Sequence, residues 1–203
     1  MKLILLISSI FFIGAYTPKE RPIDFEYQLS EIAREFKSKI MDKNECGKLK
    51  LEASYLTDDI ENAIQNEGKY SPDEIIKLKE QKKESEALEN FIAVVGNCGN
   101  YVPSINDFNL ANRRVGADVS ILIKSKDCVD IISVSIGDYV AYLGKNNSTK
   151  NYIVTYKWKE AGGMKTGNGT MGLSNSSVRY IYDNREVRSN KNISFFGITC
   201  RKL

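Results

Sequence analysis

The sequence predicts an α+β chain, with an N-terminal antiparallel three-helix bundle followed by an antiparallel β-sandwich or small barrel of six to seven strands. Three observations carry this expectation. Apolar residues recur at helical spacing through the first half, and the second half breaks into short β-rich runs divided by turn residues. The four cysteines fall two to each half. On this reading residues 1–15 are a signal peptide, 16–23 a linker, 24–98 an acidic helical bundle, 99–117 an irregular linker and 118–203 a basic all-β domain.

The chain opens with Lys2 and an unbroken apolar run from Leu3 to Ala15, which gives way to the polar, proline-bearing stretch Tyr16–Pro22. That is the layout of a secretory signal, and the run falls short of the roughly 20 apolar residues a spanning helix takes. An uncleaved anchor is the alternative. Cleavage near Ala15 leaves a mature chain without a transmembrane helix, secreted or periplasmic, where cysteines pair.

Phe25, Leu29, Ile32, Ala33, Phe36 and Ile40 form one helical stripe, expected to end near Lys43. Leu49, Ala53, Leu56, Ile60, Ala63 and Ile64 form a second, over Lys48 to about Asn66. Ser71-Pro72-Asp73-Glu74 then starts a third helix with a capping box, and Gly96 stops it. The charged middle of this third helix reads as a solvated face. Three helices with short connections pack up, down, up. The end of the first, the start of the second and the end of the third then share one end of the bundle, which brings Cys46 to Cys98.

Gly99–Gly116, with Pro103 and several asparagines, reads as irregular; Asn106, Asp107 and Asn109 suggest an Asx turn rather than a calcium loop. Strands are expected at about 118–125, 128–136, 138–144, 151–159, 176–183 and 192–200, with a further one near 163–172. Pairing Cys128 with Cys200 would fasten the last strand into the sheet. Gly167-Asn168-Gly169-Thr170-Met171-Gly172 spells G-x-G-x-x-G, but a strand pattern follows where a dinucleotide site needs a helix. It reads as a hairpin loop. Sequons at Asn146, Asn147, Asn168, Asn175 and Asn192 mark glycan sites if the source is eukaryotic.

For function, the absence of histidine is the sharpest constraint. It excludes Ser-His-Asp and Cys-His catalysis and His-ligated zinc, and nothing in the sequence calls for a metal or another cofactor. From Tyr16 to Cys98 there are 13 Lys+Arg against 18 Asp+Glu, and from Gly99 to Leu203 there are 15 against 8. Alternation in 152–159 separates Tyr152, Val154, Tyr156 and Trp158 from Lys157 and Lys159. If the aromatics are core, Lys157, Lys159 and Arg179, with Arg185 and Arg188 in the next turn, form an exposed basic surface. The expected function is non-catalytic binding of an anionic ligand or partner: acidic polysaccharide, lipid head group or acidic protein surface, rather than nucleic acid. An inhibitor or immunity-type partner of a secreted enzyme is one alternative. A His-independent glycan hydrolase or lyase is another, although Asp107, Asp118, Asp127, Asp130, Asp138, Glu160, Asp183 and Glu186 offer no evident catalytic pair.

Overall fold

A computed structural model of the protein describes residues 24–125, 128–162, 165–183 and 193–203; the signal-peptide expectation lies outside them. Helix α1 (Phe25–Lys39) is capped by Asp24, whose carboxylate accepts from the Tyr27 N–H at 3.1 Å. It stops short of Lys43 because Asp42 starts the next helix, accepting from the N–H groups of Asn44 at 2.8 Å and Glu45 at 3.4 Å. Helix α2 (Lys43–Gln65) therefore begins earlier than its apolar stripe suggests, and Cys46 lies buried in its first turns. A short 3-10 turn (Glu67–Lys69) leads to α3 (Pro72–Val95). Its capping box forms as the sequence predicts: the Ser71 N–H donates to Glu74 Oε2 at 2.7 Å, and the Glu74 N–H donates to the Ser71 hydroxyl at 3.3 Å.

The segment expected to be irregular contains a fourth helix, α4 (Ile105–Val115). Ser104 caps it by accepting from the Asp107 N–H at 3.1 Å and donating to the Asp107 carboxylate at 2.7 Å, and Gly116 ends it at φ +66°. The polar residues that suggested an Asx turn, Asn106, Asp107 and Asn109, lie in its first two turns. Phe108, Ala111 and Val115 face inward, and the Phe108 ring lies 5.1 Å from that of Phe91 on α3. This burial gives an otherwise polar segment its reason to fold.

Seven strands follow, in two antiparallel sheets. The first runs in the order β1 (Asp118–Ile123), β2 (Asp130–Ile136), β3 (Tyr139–Asn146), β6 (Ser177–Asp183). The second runs β5 (Thr166–Leu173), β4 (Tyr152–Glu160), β7 (Ile193–Lys202). The described residues are thus α+β, four helices followed by two sheets.

The four-stranded sheet feeds two apolar clusters. Ile132, Val134, Ile136, Tyr139, Ala141, Leu143 and Val178 join the core of the helices. Ile131, Tyr142 and Ile181 join Tyr152, Val154, Met171, Leu173, Ile193 and Phe195 of the other sheet. Hence β2 and β3 are buried almost end to end, a pattern that strands show when both faces are covered. The acidic and basic halves of the sequence consequently share a core instead of hanging on a linker. The buried Tyr139 hydroxyl reinforces this by donating to the Val95 carbonyl at the end of α3.

Cys46 stands beside Cys98 with Cα atoms 6.1 Å apart, and Cys128 beside Cys200 at 5.5 Å, both at disulfide distance and in the pairing the spacing predicts. The second pair differs from the expectation in what it joins. Cys200 lies in β7, and Cys128 lies just before β2, so it ties one sheet to the other. Among the described residues, no helix is long and apolar enough to cross a membrane.

Candidate functional site

The three-stranded sheet has one apolar and one polar face. On β4, Tyr152 is buried and Tyr156 and Trp158 are half-buried, packed toward the other sheet. The Trp158 ring lies 5.0 Å from that of Tyr182, and the Tyr156 ring 6.1 Å from that of Phe195. Burial pushes the Tyr156 phenol above its usual pKa, with Arg179 pulling weakly the other way. The aromatic row is therefore part of the core.

The glycine-rich stretch is a strand, not a loop, and its spacing follows from that row. In the β4–β5 register Trp158 opposes Gly167 and Tyr156 opposes Gly169. Each ring occupies the place where a β-carbon on its glycine would stand. The alternate glycines let flat rings lie on the backbone of an edge strand, which is a packing role and not a phosphate cradle.

Opposite the aromatics, Ile153, Thr155, Lys157 and Lys159 of β4 face outward. Beside them on β5 stand Thr166, Asn168 and Thr170, and on β7 stand Ser194, Phe196, Thr199 and Arg201. A bulge at Gly197, φ +58°, lets Phe196 and Thr199 both take this face: Phe196 opposes Lys157, and Thr199 opposes Thr155. The aliphatic stem of Lys157 passes over Gly197, and the hydroxyls of Thr155 and Thr199 hydrogen-bond at 2.5 Å. No Asp or Glu stands among these outward positions. Lys157, Lys159 and Arg201 take part in no ion pair among the described residues, and the two lysines are set about 7 Å apart by the strand repeat.

Of the five cations singled out from sequence, Lys157 and Lys159 thus share a face. Arg179 does not. It stands on the other sheet, and its guanidinium donates to the Gly172 carbonyl at the β5 edge, at 2.8 Å. Arg185 and Arg188 lie outside the described residues. Arg201 and the half-exposed Phe196 escaped sequence reasoning because a bulge decides which residues of β7 face out, although the inward Cys200 did hint that its neighbour Arg201 points away. At the sheet's end is a cavity of about 470 Å³ lined by Thr149, Lys150, Asn151, Asn175, Lys202 and Leu203.

The sequons divide sharply. Asn146 is fully buried: its amide donates to the carbonyls of Lys150 at 2.7 Å and Ser174 at 2.8 Å, and its oxygen accepts from Ser148. The folded chain leaves it no room for a glycan. Asn147 is exposed and donates to Asp130 at 2.7 Å. Asn168, exposed, opposes Lys157 on the polar face, Asn175 is exposed in a turn, and Asn192 lies outside the described residues. Among the carboxylates, Asp107 belongs to the α4 cap, Asp130 is buried and accepts from Ser125 and Asn147, and Glu160 is buried. Asp127 lies outside the described residues. Among the described residues no group of three or more Cys, Asp and Glu is placed to hold a metal ion.

Compared with known protein families, curated proteins and solved structures, the chain matches none.

Proposed function

We propose that the chain is an exported, non-catalytic binding protein whose outer sheet face takes an acidic polysaccharide. The observation that carries this reading is a face presenting Lys157, Lys159 and Arg201 with no Asp or Glu among its described strand positions. Such a face concentrates anions, and spaced cations on an extended surface suit a chain of repeated carboxylate or sulfate groups. Thr155, Asn168, Thr170 and Thr199 between them supply donors and acceptors for sugar hydroxyls, and the exposed Phe196 ring supplies an apolar platform. Two cysteine pairs at disulfide distance are compatible with an extracytoplasmic setting. In this reading the two sheets form a sandwich, with the helices covering one side and the binding face turned to solvent on the other.

The test is retention on a sulfated-polysaccharide resin, eluted by salt. The native protein is retained, and elution shifts to lower salt as charges are removed. The triple variant Lys157→Glu, Lys159→Glu, Arg201→Glu loses at least about tenfold in affinity, since each reversed charge contributes on the order of a factor of three or more. Retention unchanged in that variant, or indifferent to salt, overturns the proposal.

A further inference from the structure

Helices α1 and α2 bury their apolar stripes but leave two large aromatic side chains in solvent. Tyr27 on α1 is 61% exposed, and Tyr55 on α2 is 60% exposed. Both line one groove between the helices, an open cavity of about 310 Å³ that also reaches the buried Ile32 and Leu56. Exposed aromatics gathered at a concave surface mark a place where another molecule docks.

The groove carries charge of one sign. Glu31, Glu52 and Asp59 line it, and among the described residues no Lys or Arg does. Arg34 satisfies Glu31. Glu52 and Asp59 are exposed and take part in no ion pair among the described residues. Lys48, one helical turn before Glu52, is held by Glu45 instead. Glu52 and Asp59 stand two turns apart on α2, about 10 Å along its axis, with Tyr55 between them. Among the described residues these acids do not gather closely enough to hold a metal ion. Carboxylates beside aromatic rings suit an organic cation, whose charge a ring face also attracts.

We infer that this groove docks a basic, proline-bearing segment of a partner protein, held in the polyproline II conformation with one arginine on Glu52 and another on Asp59. Charge and spacing together select this occupant. A single ammonium or guanidinium group reaches only one of the two carboxylates. In polyproline II, residues three apart recur on the same side of the chain about 9 Å on, close to the separation of Glu52 from Asp59. That helix is stiff before it binds, so it docks in aromatic-lined grooves at little ordering cost, here with Tyr27 and Tyr55 against its proline rings. Arginine matches a carboxylate through its fork of donors and stacks on an aromatic face. The acidic helices thereby take a partner of their own, at a site separate from the outer sheet face.

Fluorescence polarisation of a fluorescein-labelled Pro-Arg-Pro-Pro-Arg-Pro amide, titrated with the full disulfide-bonded chain, tests this. The expected dissociation constant lies below about 1 mM and rises with salt. Replacing both arginines of the peptide by glutamine weakens binding at least about tenfold, and placing them side by side at the same composition weakens it at least about threefold. In the protein, Tyr27→Ala and Tyr55→Ala each weaken binding about threefold. Glu52→Lys combined with Asp59→Lys weakens it at least about tenfold. A dissociation constant above about 1 mM, equal affinity for the glutamine peptide, or unchanged affinity in the protein variants overturns the inference. So does spermine bound as tightly as the peptide, which would show that charge alone is read. The comparisons between peptides use the native protein, so they decide the question even if a variant misfolds.

Discussion

A β-carbon added to Gly167 would stand 2.5 Å from the indole ring of Trp158. Gly169 and Tyr156, two residues along the same pair of strands, repeat the arrangement more tightly. The aromatic and the glycine are therefore two halves of one packing device, and neither is explained alone.

The cost of filling that space follows from overpacking, about 1–3 kcal/mol where a ring must leave its rotamer. Gly169→Ala is expected to lower stability in urea by that amount. In a Tyr156→Val background the same substitution should cost less than about 0.5 kcal/mol, because the ring that excluded the methyl group is gone. An equal cost in both backgrounds would mean that backbone conformation, and not the ring, demands glycine.

A second relationship ties the acidic helices to α4. Arg114 donates to both carboxylate oxygens of Glu26, at 2.8 and 3.2 Å, to the Ser30 hydroxyl at 3.0 Å, and to Glu84. The Arg114 hydrogen bond holds the Glu26 carboxyl below its ordinary pKa. A group whose pKa is lowered by folding stabilises the fold above its unfolded value, about 4.3 for Glu, and loses that contribution as pH falls through the folded value. Glu26 is half-exposed, so screening keeps its share below about 1 kcal/mol. Arg114→Gln is accordingly expected to be less stable than native above about pH 5, with the two denaturation midpoints converging as pH falls toward about 3. A gap between them that stays constant over this range would show that Arg114 acts through packing alone.

Much of this was legible in the sequence wherever a local signal and the tertiary outcome agree. Ser71 and Glu74 announce α3, alternation separates Lys157 and Lys159 from the aromatics, and the order of the helices brings Cys46 to Cys98. What escaped is what tertiary context decides. Helix α4 has a narrow apolar stripe in a segment rich in Asn and Arg, and folds because Phe108 finds Phe91. On β6 a register shift opposite Tyr142 and Leu143 sends Val178 and Tyr180 toward the helices but Tyr182 toward the other sheet, although strict alternation would keep all three together. The continuous burial of β2 and β3 did have a signal, in Ile131-Ile132-Ser133-Val134 and Tyr139–Leu143, runs too apolar for a sheet with one face in water.

The Cys128–Cys200 pair bridges the smaller of the two clusters, from the entry to β2 across to β7. Closing a loop of 72 residues restricts the unfolded chain by about 4 kcal/mol in the chain-entropy account. Because this pair joins the three-stranded sheet to the four-stranded one, that loss should not spread evenly. Replacing both residues by alanine is expected to lower global stability by about 3–5 kcal/mol, and in hydrogen exchange to expose amides of β4, β5 and β7 before those of α2 and α3. Removal of Cys46 and Cys98 should show the reverse order, since that pair ties the start of α2 to the end of α3 inside the larger core. Peptide mapping without reduction supplies the prior check, and a 46–128 or 46–200 linkage in the native protein would overturn both expectations.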